Sequence, residues 1–206
     1  MHNVAAVGLT GQKKMTEMFY IEYQVPQDIL TFFQKQAEQK IEVEGWKKQG
    51  RNVDVKIQNF VHCWTTEEAF KQILITKSIW FRNRGLYFGD SRGAGADFTV
   101  KIGGKEVTIG LRSVAPESLE RWKSVAYPDD RFREEKNKIA DYHIVCNHLN
   151  GHTKFYGIIS KQELLAAMEQ STKLYSPRNQ EHFRVIPLHQ FSFEDLVKMI
   201  EQMARI

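Results

Sequence analysis

The stretch that decides the fold is Asp97-Phe98-Thr99-Val100-Lys101-Ile102, then Gly103-Gly104, then Lys105-Glu106-Val107-Thr108-Ile109-Gly110-Leu111-Arg112-Ser113. Two runs rich in β-branched and apolar residues, 97–102 and 105–111, flank a Gly-Gly pair. A two-residue loop of that kind supplies the positive φ angles that a tight hairpin needs. Downstream the same signature returns: Tyr142–Cys146 and Lys154–Ile159 read as strands on either side of Asn150-Gly151. Between the hairpins, Pro116 and the segment 117–124 suggest a short helix, and the charged stretch Asp129–Lys138 reads as a solvated loop or helix.

Helices bracket these strands. Ser160 and Glu163 have the spacing of a capping box for a helix through Leu164 and Met168. Phe183–Ile186 reads as a strand stopped by Pro187. Ser192 opens a last helix from about Phe193 to Met203, with Glu194 and Asp195 at its positive end. Upstream, Thr65 and Glu68 have capping-box spacing for a helix that turns Ala69, Phe70, Ile73 and Leu74 inward. Ile29, Leu30, Phe33, Ala37 and Ile41 make a helical stripe after Pro26. Val53, Val55 and Ile57 alternate with Asp54, Lys56 and Gln58, which predicts a strand over 51–60. The first 14 residues read as a frayed lead-in. The class is therefore mixed α/β or α+β, a central mixed β-sheet flanked by helices. It divides into a helix-strand extension over 1–60 and a main domain over 61–206.

Composition sets outer limits. The chain has 206 residues, 42% apolar and 26% charged, which is enough to bury a core without disulfides. Aromatics at 12% and glycines without a period exclude disordered and collagen-like classes. No apolar run approaches the roughly 20 residues of a membrane span. The N-terminus lacks the basic lead of a signal peptide. Cys63 and Cys146 lie far apart and form no disulfide framework, so a cytoplasmic location is expected. Lys and Arg number 29 against 25 Asp and Glu, a net charge of +4 that is compatible with a polyanionic partner.

At Asp97, the Gly-Gly turn and Gly110-Leu111-Arg112, the sequence resembles the PD-(D/E)XK, or restriction-endonuclease-like, nucleases. That family places an Asp at the start of one strand and an acidic-x-Lys triplet on the next, usually after a helix carrying another acid. The resemblance extends to the helix with Glu67 and Glu68, to Ala140-Asp141-Tyr142-His143-Ile144-Val145, and to Gly157-Ile158-Ile159-Ser160 leading into a helix. It covers roughly residues 60–205 and implies a restriction-endonuclease-like core.

The resemblance implies Mg²⁺-dependent hydrolysis of DNA. Asp97 would hold the metal, Glu67 or Glu68 would complete its carboxylate shell, and Arg112 would contact the phosphate, so that Asp97, Arg112 and Glu68 are the candidate catalytic residues. The triplet itself departs from the pattern. Gly110 stands where the second acid belongs and cannot ligate, and Arg112 replaces the Lys and stays protonated. Glu106 lies four residues from Gly110, roughly 13 Å along an extended strand, too far to share its metal. Asp97 has a plainer reading as a turn cap after the Gly-rich run 91–96, and Glu68 as the capping partner of Thr65. A competing triplet, Asp54-Val55-Lys56 with Glu42 and Glu44 upstream, also has acidic-x-Lys spacing.

Other constellations are weaker. His143, Cys146, His148 and His152 would reach a zinc ion from alternate faces of a hairpin. Cys63 beside His62 and Trp64 reads as an ordinary buried cysteine. No phosphate-loop, dinucleotide or nucleophile-elbow motif is present, so no small-molecule cofactor is expected. For nucleic acid the candidate contacts are Lys47, Lys48, Arg82, Arg84 and Arg92, with Arg51 and the cations between Arg121 and Lys138 as further ones. Trp46, Trp80 and Trp122 are interleaved among them. Two functions follow: a Mg²⁺-dependent endonuclease acting on DNA, for which a homodimer would suit cutting both strands, or an inactive domain of the same fold that binds nucleic acid or a protein.

Overall fold

The structure, a computed structural model, describes residues 19–44, 53–85, 96–129, 139–176 and 181–204. A six-stranded sheet holds the hairpin read from the sequence, β3 (Phe98–Ile102) and β4 (Lys105–Ser113). Its order is β1 (Ile21–Gln24), β7 (His152–Ser160), β6 (Tyr142–Leu149), β4, β3, β2 (Phe81–Asn83). All neighbours are antiparallel except β4 and β6, which run parallel. The chain leaves β4 through α3 (Pro116–Trp122) and β5 (Ser124–Pro128) before it returns as β6. Gly103 and Gly104 have φ of 56° and 78°, and Asn150 and Gly151 have 51° and 84°, as two-residue hairpin loops require.

Neighbouring residues on β6 and β7 point into different cores. Ile144, Cys146, Phe155 and Ile158 join Phe98, Val100 and Ile109 under α2 (Val53–Thr76) and α5 (Phe193–Met203). Val145, Tyr156 and Ile159 face the other way. There they pack with Leu119, Val125, Tyr127, Ile186 and, from α4 (Lys161–Gln170), Leu164 and Met168. This second face is covered by a three-stranded sheet ordered β5, β9 (Glu181–Pro187), β8 (Lys173–Ser176). The result is a mixed α+β fold with a central mixed sheet flanked by helices, the expected class. Among the described residues, no helix is long and apolar enough to cross a membrane.

Two readings of the N-terminal third are corrected. Residues 53–60 are not a strand; they are the first turns of α2, a helix of 24 residues. Alternation over Val53, Val55 and Ile57 is only five residues long, whereas Ile57, Phe60, Val61 and Trp64 continue it at spacings of three, one and three. That stripe meets Phe33 and Ala37 of α1 (Gln27–Glu44), with Phe33 and Trp64 ring centroids 6.1 Å apart. The Asp54-x-Lys56 triplet thus lies on a helix, Lys56 buried and Asp54 exposed. Thr65 is not an N-cap either, because it sits inside α2. Its hydroxyl donates to the Val61 carbonyl at 2.6 Å, a bond that satisfies a buried threonine within a helix. The boundary drawn between residues 60 and 61 falls within this same helix. The Ser160–Glu163 capping box, by contrast, is formed in both directions.

Asp129 overturns the solvated reading at its end of the charged stretch, since it is fully buried. Its carboxylate pairs with Arg184 Nε at 2.7 Å and Lys173 Nζ at 3.1 Å. Residues 130–138 and the N-terminal lead-in lie outside the described residues.

Candidate functional site

Asp97 stands one step before the Phe98–Ile109 pair, opposite Gly110. Its amide donates to the Ile109 carbonyl at 3.0 Å, and its own carbonyl accepts from the Arg84 amide of the β2 side at 3.0 Å. With the main-chain oxygen turned to β2, the side chain serves β4: Oδ2 accepts the Leu111 amide at 2.6 Å. Asp97 therefore ties β3 to β4 with its carboxylate; the Gly-rich run that the turn-cap reading invokes lies, up to residue 95, outside the described residues.

Glu67 and Asp97 both bear on one thiol, that of Cys63. Cys63 of α2 keeps an exposed edge, so the buried-cysteine reading fails for it, while Cys146 of β6 is buried. The protein packed round the Cys63 sulfur still pushes its thiol up to about 12. Glu67 and Asp97 act in the same direction and Arg112 acts against them. Burial also raises the Cys146 thiol, with Cys63, Asp97 and Glu67 adding to the rise. Glu67 and Asp97 are thus near enough to bear on both thiols, and Arg112 on that of Cys63. One expected result follows. Alkylation of Cys63 should keep accelerating well above the ordinary thiol range near pH 9, and Glu67→Gln should speed it at pH 8.5 by removing a charge that opposes the thiolate. A rate unchanged by the substitution would place Glu67 elsewhere.

Glu68 is directed away from this group. It pairs with Lys71 one helical turn on, and its Oε1 accepts from Gln72 Nε2 at 2.7 Å. Arg112 reaches to the second face of the sheet. Its Nη2 donates to the Ala126 carbonyl of β5, and its guanidinium carbon lies 5.2 Å from the Tyr127 ring centroid. The space beside Gly110 is taken by the neighbouring strand: a Cβ built there would sit 3.4 Å from the His143 ring. Among the described residues, no group of three or more His, Cys, Asp or Glu is arranged to hold a metal ion, and this includes the His143, Cys146, His148 and His152 set.

No protein-family model and no curated protein matches the chain. Among solved structures, a nuclease from a fusselovirus matches with a TM-score of 0.35 at 10% identity, over 66% of this chain and 84% of that one. The match is distant.

The nucleic-acid candidates divide. Arg82 is exposed on β2 and pairs with Glu106 at 2.5 Å. The exposed Trp80 ring lies 5.6 Å from its guanidinium carbon and 4.5 Å from Lys101 Nζ. Arg84 is half-buried where the β2 chain meets Asp97. Lys47, Lys48 and Arg92 lie outside the described residues.

Three features had no clear signal in the sequence. Asp141 Oδ2 accepts from Thr108 N at 2.8 Å and Thr108 Oγ1 at 2.7 Å, clamping the start of β6 to β4. Desolvation works to raise its carboxyl, but those bonds and Lys161 outweigh it and hold it below the usual range. Tyr127 joins Arg112 to His143, with Tyr127 and His143 ring centroids 5.6 Å apart. Burial, then the Arg112 and Lys161 charges, lowers His143 to about 4; burial, then His62 and His152, lowers His148 to about 4. An unfolded chain takes up protons on both near pH 6.5, which the folded chain refuses. Stability should therefore be full above that pH and be lost as pH falls toward 4. Urea midpoints across the window, compared with a His143→Phe, His148→Phe double variant, check this: the variant's profile should be flatter.

Proposed function

We propose that the chain is a Mg²⁺-dependent nuclease that cleaves DNA by phosphodiester hydrolysis. The observation that supports this reading is geometric: Asp97 stands at the start of β3 with its carboxylate on the β4 strand that carries Gly110 and Arg112, and Glu67 of the preceding helix is near enough to bear, with Asp97, on the Cys63 thiol. Asp97 and Glu67 would hold the ion. Two carboxylates suit Mg²⁺, which keeps several waters and completes its shell with substrate phosphate, and they do not suit a closed zinc cage. When bound, the ion polarises the scissile phosphate and lowers the pKa of a water.

The chain's own residues then position the substrate. Arg112 clamps a phosphate oxygen as a permanent cation and leaves proton transfer to solvent or another group. Arg82 and Lys101 beside Trp80 supply phosphate contacts and a ring on which a base can stack.

A second reading, an inactive domain of this fold that binds nucleic acid, is favoured by one observation. Gly110 offers no carboxylate, and His143 fills the room beside it. Plasmid cleavage with Mg²⁺, against an EDTA control, separates the two. Under the first reading the wild-type chain nicks DNA, and Asp97→Asn and Glu67→Gln fall to the control level. Cleavage that survives both substitutions overturns it. DNA retained on a gel with no Mg²⁺-dependent cut supports the second reading.

A further inference from the structure

A cavity of about 320 Å³ lies on the second face of the sheet, on the other side from α2. Its walls are the rings of Phe19, Tyr156, Phe191 and Phe193, and its polar lining is Lys123 and His189. It is open to solvent: Phe19 is 63% exposed, and Lys123 and His189 are exposed as well. The walls are held by the backbone. Leu188 N donates to the Lys123 carbonyl at 2.8 Å, Phe191 N to the Leu188 carbonyl at 3.0 Å, and Ser192 exchanges both main-chain bonds with Ile158 of β7. The Tyr156 hydroxyl accepts from Asn147 Nδ2 at 2.8 Å, which fixes the phenol and leaves its ring as wall. Phe19 and Phe193 stack with centroids 5.8 Å apart and planes 26° from parallel, and much of Phe19 stays uncovered.

The lining selects the ligand. Aromatic walls favour a flat ring that can stack or meet them edge-on. Small-molecule sites run from roughly 300 to 1,000 Å³, so a cavity of this size takes one ring system with its substituent. The charge is one-sided. Among the described residues no acid lines the cavity; Glu194 and Asp195 follow Phe193 in α5 but do not line it. Lys123 caps the end of α3 at φ 46° and ψ 39°, with its amide bonded to the Leu119 carbonyl. Helices commonly end on glycine in this left-handed conformation; here the position carries an ammonium beside the cavity. An ammonium offers three donors and a neutral imidazole one, so the polar end of the ligand is an acceptor with several oxygens.

We propose that this cavity binds a free nucleoside 5′-monophosphate, the base against Phe19, Tyr156 and Phe193 and the phosphate on Lys123 and His189. The three terminal oxygens of a phosphate serve both donors together, and the base supplies the flat face. The site is separate from the nuclease reading, since none of Glu67, Asp97 and Arg112 lines it. A free nucleotide is favoured over one within a strand by place as well as by size. Tyr156 belongs to β7, whereas Trp80, Arg82 and Lys101, the contacts suited to a strand, lie at the β2 edge with β6, β4 and β3 between.

The test uses the full chain without divalent metal, with adenosine 5′-monophosphate, adenosine and inorganic phosphate as probes. Histidine Cε1–H resonances are followed by NMR, that of His189 being assigned by its loss in His189→Gln. Adenosine 5′-monophosphate should shift the His189 resonance saturably and bind more tightly than either adenosine or phosphate. Phe19→Ala, which removes an exposed wall, should weaken it roughly threefold to tenfold, the worth of one aromatic contact. Lys123→Gly suits the left-handed backbone, so it should keep the wild-type denaturation midpoint while lowering the affinity for the nucleotide to that for adenosine. That loss of preference is a readout that a purely structural lysine would not move. No saturable shift, or wild-type affinity in Phe19→Ala, overturns the site. Equal binding of adenosine and its monophosphate overturns the phosphate contact, and equal binding of inorganic phosphate overturns the base. An unphosphorylated single-stranded oligonucleotide that displaces the nucleotide at equal concentration overturns the free source, and one that does not supports it.

Discussion

Asp129→Ala is expected to destabilise the chain by about 3–5 kcal/mol, the range for removing one partner of a buried ion pair. The carboxylate follows β5, is wholly buried, and pairs with Arg184 of β9 and Lys173 of β8. Arg184 also donates to the Ser171 carbonyl at 3.0 Å at the end of α4. One acid therefore ties all three strands of the small sheet, and deleting it strands a mostly buried guanidinium. Urea unfolding measures the loss. A triple variant, Asp129→Leu, Lys173→Met, Arg184→Met, should recover part of it, since replacing an entire buried charge group by apolar side chains is often tolerated. A loss under about 1 kcal/mol, the level of a surface pair, would show that water reaches the carboxylate.

Gly157→Ala is the second large effect. A Cβ at this position would lie 2.6 Å from the Phe191 carbonyl oxygen and 2.8 Å from its carbon, inside any real contact distance to backbone. The neighbouring Ile158 exchanges both main-chain bonds with Ser192, at 3.0 and 2.8 Å, which fixes the chain just before α5. The added methyl must therefore push apart a bonded pair of segments, and overpacking of this sort costs about 1–3 kcal/mol. The readout is the denaturation midpoint, together with loss of slow amide exchange at Ile158 and Ser192. A variant with the wild-type midpoint would mean that Phe191 moves aside freely.

The parts of the fold legible in the sequence are those with local causes. Gly103-Gly104 and Asn150-Gly151 announce hairpins because few residues accept positive φ, and Ser160 with Glu163 announces a helix start because its partners are three residues apart. Thr65 with Glu68 shows the same spacing and means nothing of the kind. A threonine hydroxyl can equally bond back to the carbonyl four residues earlier, and only the continuing stripe from Ile57 to Trp64 distinguishes the two. Strands β1, β2, β5 and β8 hold three to five residues each, too few to show a period, and their partners are remote in the chain. Of the candidate site, Asp97, Glu67 and Arg112 could be drawn together only through a resemblance to known proteins. Asp129 with Arg184, and Tyr127 with His143, are pairings across distant segments that no local pattern records.

At the mouth of the first hairpin, a side-chain oxygen does the work of a peptide carbonyl: Asp97 Oδ2 receives the Leu111 amide. Alanine at this position would loosen the pleat as well as erase a negative charge, and a failed cleavage assay would then report two losses at once. Asparagine retains an oxygen of the same reach and discards only the charge. The choice of amide over methyl is thus what lets chemistry and architecture be scored separately at this one residue.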